Sequence, residues 1–347
     1  MPTIDPVLKK ALRREDLVYS TDKKPGIFRQ KVSKNFNYYD TLGKRIRDDR
    51  IIERIESLAI PPAWKDVWIS PSPNGYLQAT GIDDRKRKQY IYHSAWVAVN
   101  QENKFSKLVD FGLSLPKIRG KISYEMQKND LSRARILATV IWLLEHTFIR
   151  VGNEEYTKDN NSFGLTTLRN RHVEVRGKEI VFRFRGKSGV ENMVELSNST
   201  IARTIKKCIE LPGYELFQFI DDSGDRHAVD SKDVNDYLKD LTNDEFTAKD
   251  FRTWGATNLS ARGLYRKGTP VDESIAKQNV VSTIKEVAKH LNNTVAVCKT
   301  YYIHPTVIKT YTKNALVPHF NRFAKNKNDR SGLSWNEYAL IKLLQKY

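Results

Sequence analysis

The 347-residue chain carries 59 Lys+Arg against 41 Asp+Glu, a formal net charge of +18, with 39% hydrophobic and 10% aromatic residues. That apolar content supports proper cores and excludes wholesale disorder, and the length fits two domains. The longest strongly apolar run, ILATVIWLL at 136–144, has nine residues between Arg135 and Glu145, about half of the roughly 20 a membrane span needs. It reads as a buried helix, and no membrane role is expected.

Other classes drop out on motif grounds. The start, MPTIDPVLKK, lacks the apolar core of a signal peptide. Cys208 and Cys298 lie ninety positions apart without CxxC or histidine spacing, so neither a disulfide scaffold nor a metal site is expected and a reducing cytoplasm fits. GxxxxGK[ST] and GxGxxG are both missing, which argues against a nucleotide-driven motor and leaves no cofactor expected. The charge excess is spread: residues 1–100 hold 19 Lys+Arg and 12 Asp+Glu, a balance of +7, and the remainder carries +11. A folded protein basic throughout points to a polyanionic partner, with nucleic acid leading and an ordinary basic protein as the plainer reading.

In chain order, RDDRIIERIESLAI (47–60) spaces Ile51, Ile52, Ile55 and Leu58 as a helix stopped by Pro61. DVWISPSP (66–73), GYLQATGID (75–83) and KQYIYH (88–93) read as strands, Tyr90 and Tyr92 sharing one face and Gln89 and Ile91 the other. From about 95 the texture turns helical, which places a domain boundary there, between a strand-containing domain at 1–95 and a mainly helical one at 96–347, with a hinge near 93–100. LSRARILATVIWLLEHTFIR (131–150) predicts a helix with Ser132 as cap and Gly152 past its end. HVEVRGKEIVFRFRGKSGVENMVELS (172–197), with turns at Gly177 and Gly186–Gly189, predicts a three-stranded β-meander. Helices are predicted at 231–241, 248–265 and 274–291, and WNEYALIKLLQKY (335–347) predicts a closing one. The basic stretch from Lys309 to Arg330 has six Lys/Arg to one acid, a DNA-contacting extension or a solvated face. The expected class is α+β.

Metal-free phosphodiester chemistry needs a nucleophile, a proton donor for the leaving oxygen and fixed cations for the charge of a pentacoordinate phosphorane. Arg150 after the apolar helix, Lys187 at a hairpin tip, Arg252 in the first turn of a helix beside Phe251 and Trp254, and Tyr301 and Tyr302 opening the next helical region are the candidates. Asn293 stands nine residues before Tyr302. Singly, each has an ordinary structural explanation: a dipole or ion-pair arginine, a solvated turn lysine, a packing tyrosine.

Together they are specific. PPAWKDVWIS, DRKRKQYIYH, IRVGNEEY, NNSFGLTTLR, HVEV, FRFRGKSG, ELFQF, FTAKDFRTWGAT and NNTVAVCKTYYIHP run from about residue 60 to 305. The chain resembles the type IB DNA topoisomerases in their compact bacterial and poxvirus form. The resemblance implies that Tyr302, in YIHP, attacks the scissile phosphate to leave a 3′-phosphotyrosyl enzyme, Tyr301 being its neighbour. Lys187 is then the general acid toward the 5′ oxygen with Arg150 assisting, and Arg150 and Arg252 bind the non-bridging oxygens. Asn293 stands where poxvirus and eukaryotic members carry His, and an amide only hydrogen-bonds there. The resemblance also implies a monomer clamping duplex DNA, and DNA contacts from Arg85, Lys86, Arg87, Lys88, Gln89, Tyr90 and Tyr92. A tyrosine recombinase is the nearest rival, yet Lys249 stands where its His-x-x-Arg histidine is expected. A non-catalytic DNA-binding protein is the third reading.

Overall fold

The computed structural model describes residues 12–33, 35–84, 86–324 and 332–347. The chain divides into two compact units, Met1–Ser106 and Lys107–Tyr347. The change in sequence texture placed a boundary at 95, whereas the division falls after the helix Ser94–Ser106, which groups with the first unit.

In the first unit, strands β1 (Ile27–Val32), β2 (Asn35–Tyr39), β3 (Lys65–Ile69), β4 (Leu77–Ile82) and β5 (Lys88–Tyr92) form an antiparallel sheet in the order β2-β1-β3-β4-β5. Helix α1 (Asp49–Ser57) starts at Asp48, whose carboxylate accepts the Arg50 N–H at 2.9 Å. Its Ile55 meets Ile27, Tyr38, Val67, Ile69 and Ala79 in the core. The sequence reading found β3, β4 and β5 and missed the β1–β2 hairpin. IFRQKV buries only Ile27, and NFNYY only Tyr38, so the alternation that marks a half-buried strand is absent there. Helix α2 (Ser94–Ser106) closes the unit.

The second unit is built on α3 (Leu108–Gln127) and α4 (Arg133–Thr147). Ile136, Leu137, Ala138, Val140, Ile141, Leu143 and Leu144 are buried around the whole of α4, so it is a central helix rather than an amphipathic surface one. Each of these Ile, Leu and Val side chains contributes roughly 1.5–3 kcal/mol of burial. Around it lie α5 (Glu154–Asn160), α6 (Ser199–Glu210), α7 (Ser231–Thr242), α8 (Ala248–Lys267), α9 (Glu273–His290), α10 (Val295–Tyr301), α11 (Pro305–Thr312), α12 (Leu316–Ala324) and α13 (Trp335–Lys346). The predicted meander is present as β6 (Val173–Arg176), β7 (Glu179–Arg185) and β8 (Glu191–Ser197), and a two-stranded ribbon, β9 (Gln218–Ile220) with β10 (Arg226–Ala228), was not foreseen.

The basic stretch after Lys309 is largely packed structure. Tyr311, Leu316 and Phe320 are buried, and Tyr311 donates to the Gly268 carbonyl at 3.0 Å. Residues 325–331 lie outside the described part. Helix α13 is anchored by Glu337, which accepts from Arg119 at 2.6 Å and from Trp254 Nε1 at 3.4 Å, while Arg119 also bridges to Glu145 at 2.7 Å. Burial alone pushes the Arg119 guanidinium down, but the two carboxylates raise it overall, and Arg119 in turn holds Glu337 below its ordinary value. The closing helix is thereby tied to α8, the helix that carries Arg252.

Candidate active site

The site begins where α4 stops. The sequence placed Gly152 past the helix end and Arg150 upon it. The helix instead ends at Thr147, with Phe148 left-handed at φ 54°, an uncommon conformation for a bulky residue. The Phe148 ring lies against Gly255 of α8, where any Cβ would collide with it. The turned-out Phe148 carbonyl accepts Nη1 of Arg252, and Leu291's carbonyl accepts Nη2 at 2.8 Å. Arg252 sits one turn into α8 rather than in its first turn.

Arg150 lies in the extended segment beyond α4. That segment is bracketed by the FGLTTL stretch, where the Leu165 N–H donates to the Arg150 carbonyl at 2.8 Å and the Thr166 N–H to the Val151 carbonyl at 2.7 Å. Nη2 of Arg150 donates to Asn293 Oδ1 at 2.6 Å and lies 3.5 Å from the Asn292 carbonyl. The turn Leu291–Asn293 therefore receives both arginines.

Tyr301 and Tyr302 close helix α10 rather than open the next one, Tyr302 being its C-cap. Tyr301 is 46% exposed. Tyr302 turns inward: its ring lies 5.2 Å from Arg252 Cζ, and its main-chain carbonyl accepts Thr257 Oγ1 at 3.1 Å. Thr257 also accepts the His304 N–H at 3.1 Å, so α8 fixes the chain on both sides of the tyrosine. Sequence reasoning overlooked Thr257 as a positioning residue; its place on the helix of Arg252 was the available signal.

Lys187 occupies a short turn between β7 and β8, closed by the Gly186 N–H donating to the Val190 carbonyl at 2.7 Å, with Ser188 at φ 65°. Its exposed side chain lines a small cavity shared with Arg150, Arg252, His290 and Asn292, and a cavity of about 520 Å³ shared with Arg150, Glu155 and Asp159.

The electrostatics favour an anion. Arg252 is 4% exposed, and burial first, then the nearby Arg150, push its guanidinium down to about 10. Its acceptors are two main-chain carbonyls and the Tyr302 hydroxyl, and no carboxylate pairs with it among the described residues. Burial alone pushes the Tyr302 phenol up, yet Arg252, by charge and hydrogen bond, and then Arg150 and Lys249, bring it below its ordinary value. Lys249 is a contributor the sequence reading noted only as a departure from a histidine. Arg252 Nε and Asn293 Nδ2 are buried donors without a partner among the described residues. Such donors are costly until an acceptor arrives, and a phosphate oxygen is one.

The basic strand of the first unit is more constrained than its sequence indicated. Asp83 accepts Arg87 Nη2 at 2.7 Å and Gln89 Nε2 at 2.9 Å, and Lys88 is paired with Asp22. Lys86 stands in a left-handed turn at φ 59°. Tyr90 and Tyr92 lie exposed and stacked at 6.1 Å. Arg85 lies outside the described residues.

Residues 88–326 match the family described as eukaryotic DNA topoisomerase I, catalytic core, and residues 35–83 match the bacterial DNA topoisomerase IB N-terminal domain. The chain is 34% identical over 311 residues to DNA topoisomerase 1B of Acanthamoeba polyphaga mimivirus, covering 88% of this chain and 91% of the relative. It is 27% identical over 236 residues to DNA topoisomerase 1B of Vaccinia virus (strain Copenhagen), covering 66% and 70% respectively. The match to DNA topoisomerase 1 of Candida albicans is 28% over 185 residues, covering 51% of this chain and 22% of that one. A catalytic-core match over most of the second unit, joined to a type IB N-terminal match in the first, means that this chain belongs to the type IB DNA topoisomerases.

Proposed function

We propose that Tyr302, Arg150, Lys187, Arg252 and Asn293 carry the reaction of this type IB topoisomerase, the relaxation of supercoiled duplex DNA by transient single-strand cleavage. The Tyr302 oxygen attacks the scissile phosphorus, the bond from phosphorus to the 5′ oxygen breaks, and a 3′-phosphotyrosyl linkage forms. The departing oxygen takes a proton from Lys187, and the reverse steps reseal the strand after rotation. One phosphodiester is exchanged for another of similar energy, so ATP has no part. Arg150 and Arg252 grip the non-bridging oxygens, while Asn293 holds Arg150 through Oδ1 and offers its Nδ2 hydrogens to the phosphate. A phenol with an ordinary pKa near 10 is a weak nucleophile at pH 7, and the cations around Tyr302 favour its ionised form. Loss of either arginine is expected to slow cleavage by roughly 10²–10³.

The observation that carries this reading is the gathering of Tyr302, Arg150 and Asn293 about the buried Arg252 guanidinium, which has no carboxylate partner among the described residues. All five residues come from one unit of one chain, which supports action as a monomer. Lys86, Arg87, Lys88, Gln89, Tyr90 and Tyr92, with Arg85, are proposed to contact the duplex. The free, buried thiols of Cys208 and Cys298 suit a reducing cytoplasm. The test is relaxation of supercoiled plasmid in EDTA without ATP, which the wild type performs and Tyr302→Phe abolishes. Failure of the wild type, or undiminished relaxation by the variant, overturns the assignment.

A further inference from the structure

The turn that receives both arginines also grips the hairpin of Lys187. Asn292, left-handed at φ 46°, donates Nδ2 to Asn192 Oδ1 at 2.5 Å. Asn192 stands at the start of β8, and its own Nδ2 donates to the Val190 carbonyl at 2.7 Å, inside the turn that carries Lys187. Gly186 leaves room for that amide, since a Cβ there would strike Asn192. One end of the Asn192 amide is thus bound to the turn and the other to Asn292. Otherwise the tip is open: Lys187, Ser188 and Val190 are all exposed. A solvent-exposed hairpin tip samples many positions on the nanosecond-to-microsecond scale unless it is tied down.

We propose that Asn292 is a positioning residue which, through Asn192, fixes the Lys187 hairpin in the same frame as Arg150 and Arg252. The proton donor and the phosphate-binding cations then share one anchoring turn, Leu291–Asn293. The proposal rests on the reading of Lys187 as the proton donor. An oxygen leaving group needs its proton delivered as the bond from phosphorus breaks, whereas a sulfur leaving group departs with the electron pair as a thiolate and needs none. A residue that only places Lys187 matters for the first and not for the second.

The experiment measures single-turnover cleavage of duplexes carrying a 5′-bridging oxygen or a 5′-bridging sulfur at the scissile phosphate. The enzymes are the full-length wild type, Asn292→Gly, Asn192→Ala, their double variant and Lys187→Ala. Glycine keeps the left-handed backbone at 292, and Asn192→Ala breaks the same contact from the other side should the first variant fold poorly. Each single variant is expected to cleave the oxygen substrate about ten- to thirtyfold more slowly. Both are expected to cleave the sulfur substrate at close to the wild-type rate, and the double variant to be no worse than either single one. Equal losses on both substrates, with Lys187→Ala still rescued by sulfur, overturn the positioning role alone. Lys187→Ala impaired equally on both substrates overturns the proton-donor reading and the positioning role with it.

Discussion

His172 and His304 each accept a backbone N–H at Nδ1, from Arg169 at 3.0 Å and from Thr306 at 3.1 Å. Burial, aided at His172 by Arg171 and Arg169, holds both imidazoles down at about 4. In the unfolded chain they titrate near 6.5, so between about pH 6.5 and 4 the unfolded state binds more protons than the folded one. Their contribution is complete above that window and is lost as pH falls through it. Urea titrations at pH 7 and 4.5 are expected to show a drop of about 2 kcal/mol per histidine. His172→Gln and His304→Asn each flatten that dependence, and an unchanged slope in both variants rules the pair out as its source. At this scale the proposed set of Arg150, Lys187, Arg252, Asn293 and Tyr302 comes from residue type, motif order and the resemblance they carry, and the structure brings Arg150 to Asn293 and Arg252 to Tyr302. What was hidden is the choice of acceptors, because Phe148 and Leu291 serve through main-chain carbonyls that any side chain would provide.

Among the elements, long periodic helices and the meander were legible because their burial follows the sequence period, as Ile180, Phe182 and Phe184 show along β7. The β1–β2 hairpin was not, for it buries too little to print a pattern. Nor did the sequence place Tyr302 at a helix end, since VAVCKTYYIHP continues a helical composition until Thr257 and the Ile303 side chain, buried in the core, turn it. Strand β5 offers the sharpest test. Asp83 holds Arg87 and Gln89 together at 2.7 and 2.9 Å, which limits the strand's free charge while fixing the glutamine. Asp83→Asn is expected to tighten nonspecific duplex binding about three- to tenfold at low salt, with poorer discrimination among cleavage sequences. Fluorescence anisotropy and cleavage-site mapping read the two effects; unchanged affinity and selectivity remove Asp83 from duplex recognition.

Across the whole molecule, the net charge of +18 divides into functions of different kind. A surface cation acts through counterion release, so Lys86→Ala is expected to lower the salt slope of duplex affinity by about one unit. Arg150 is held at 2.6 Å by Asn293 inside the site. Arg150→Ala is expected to leave that slope nearly unchanged while the cleavage rate at saturating DNA falls roughly 10²–10³. Binding isotherms at several salt concentrations, paired with single-turnover rates, separate the two. Coincident effects of both variants on slope and rate contradict the division.

The turn Leu291–Asn293 carries a consequence for how this enzyme is dissected. It grips Arg252 by a peptide carbonyl, Arg150 by a side-chain carbonyl and the Lys187 hairpin by an amide. A scan replacing one side chain at a time registers positions 292 and 293, and it remains blind to the bond that Leu291 makes with its backbone. Only a change to the peptide link itself, such as an ester between residues 291 and 292 that weakens that carbonyl as an acceptor, reports what the third grip contributes.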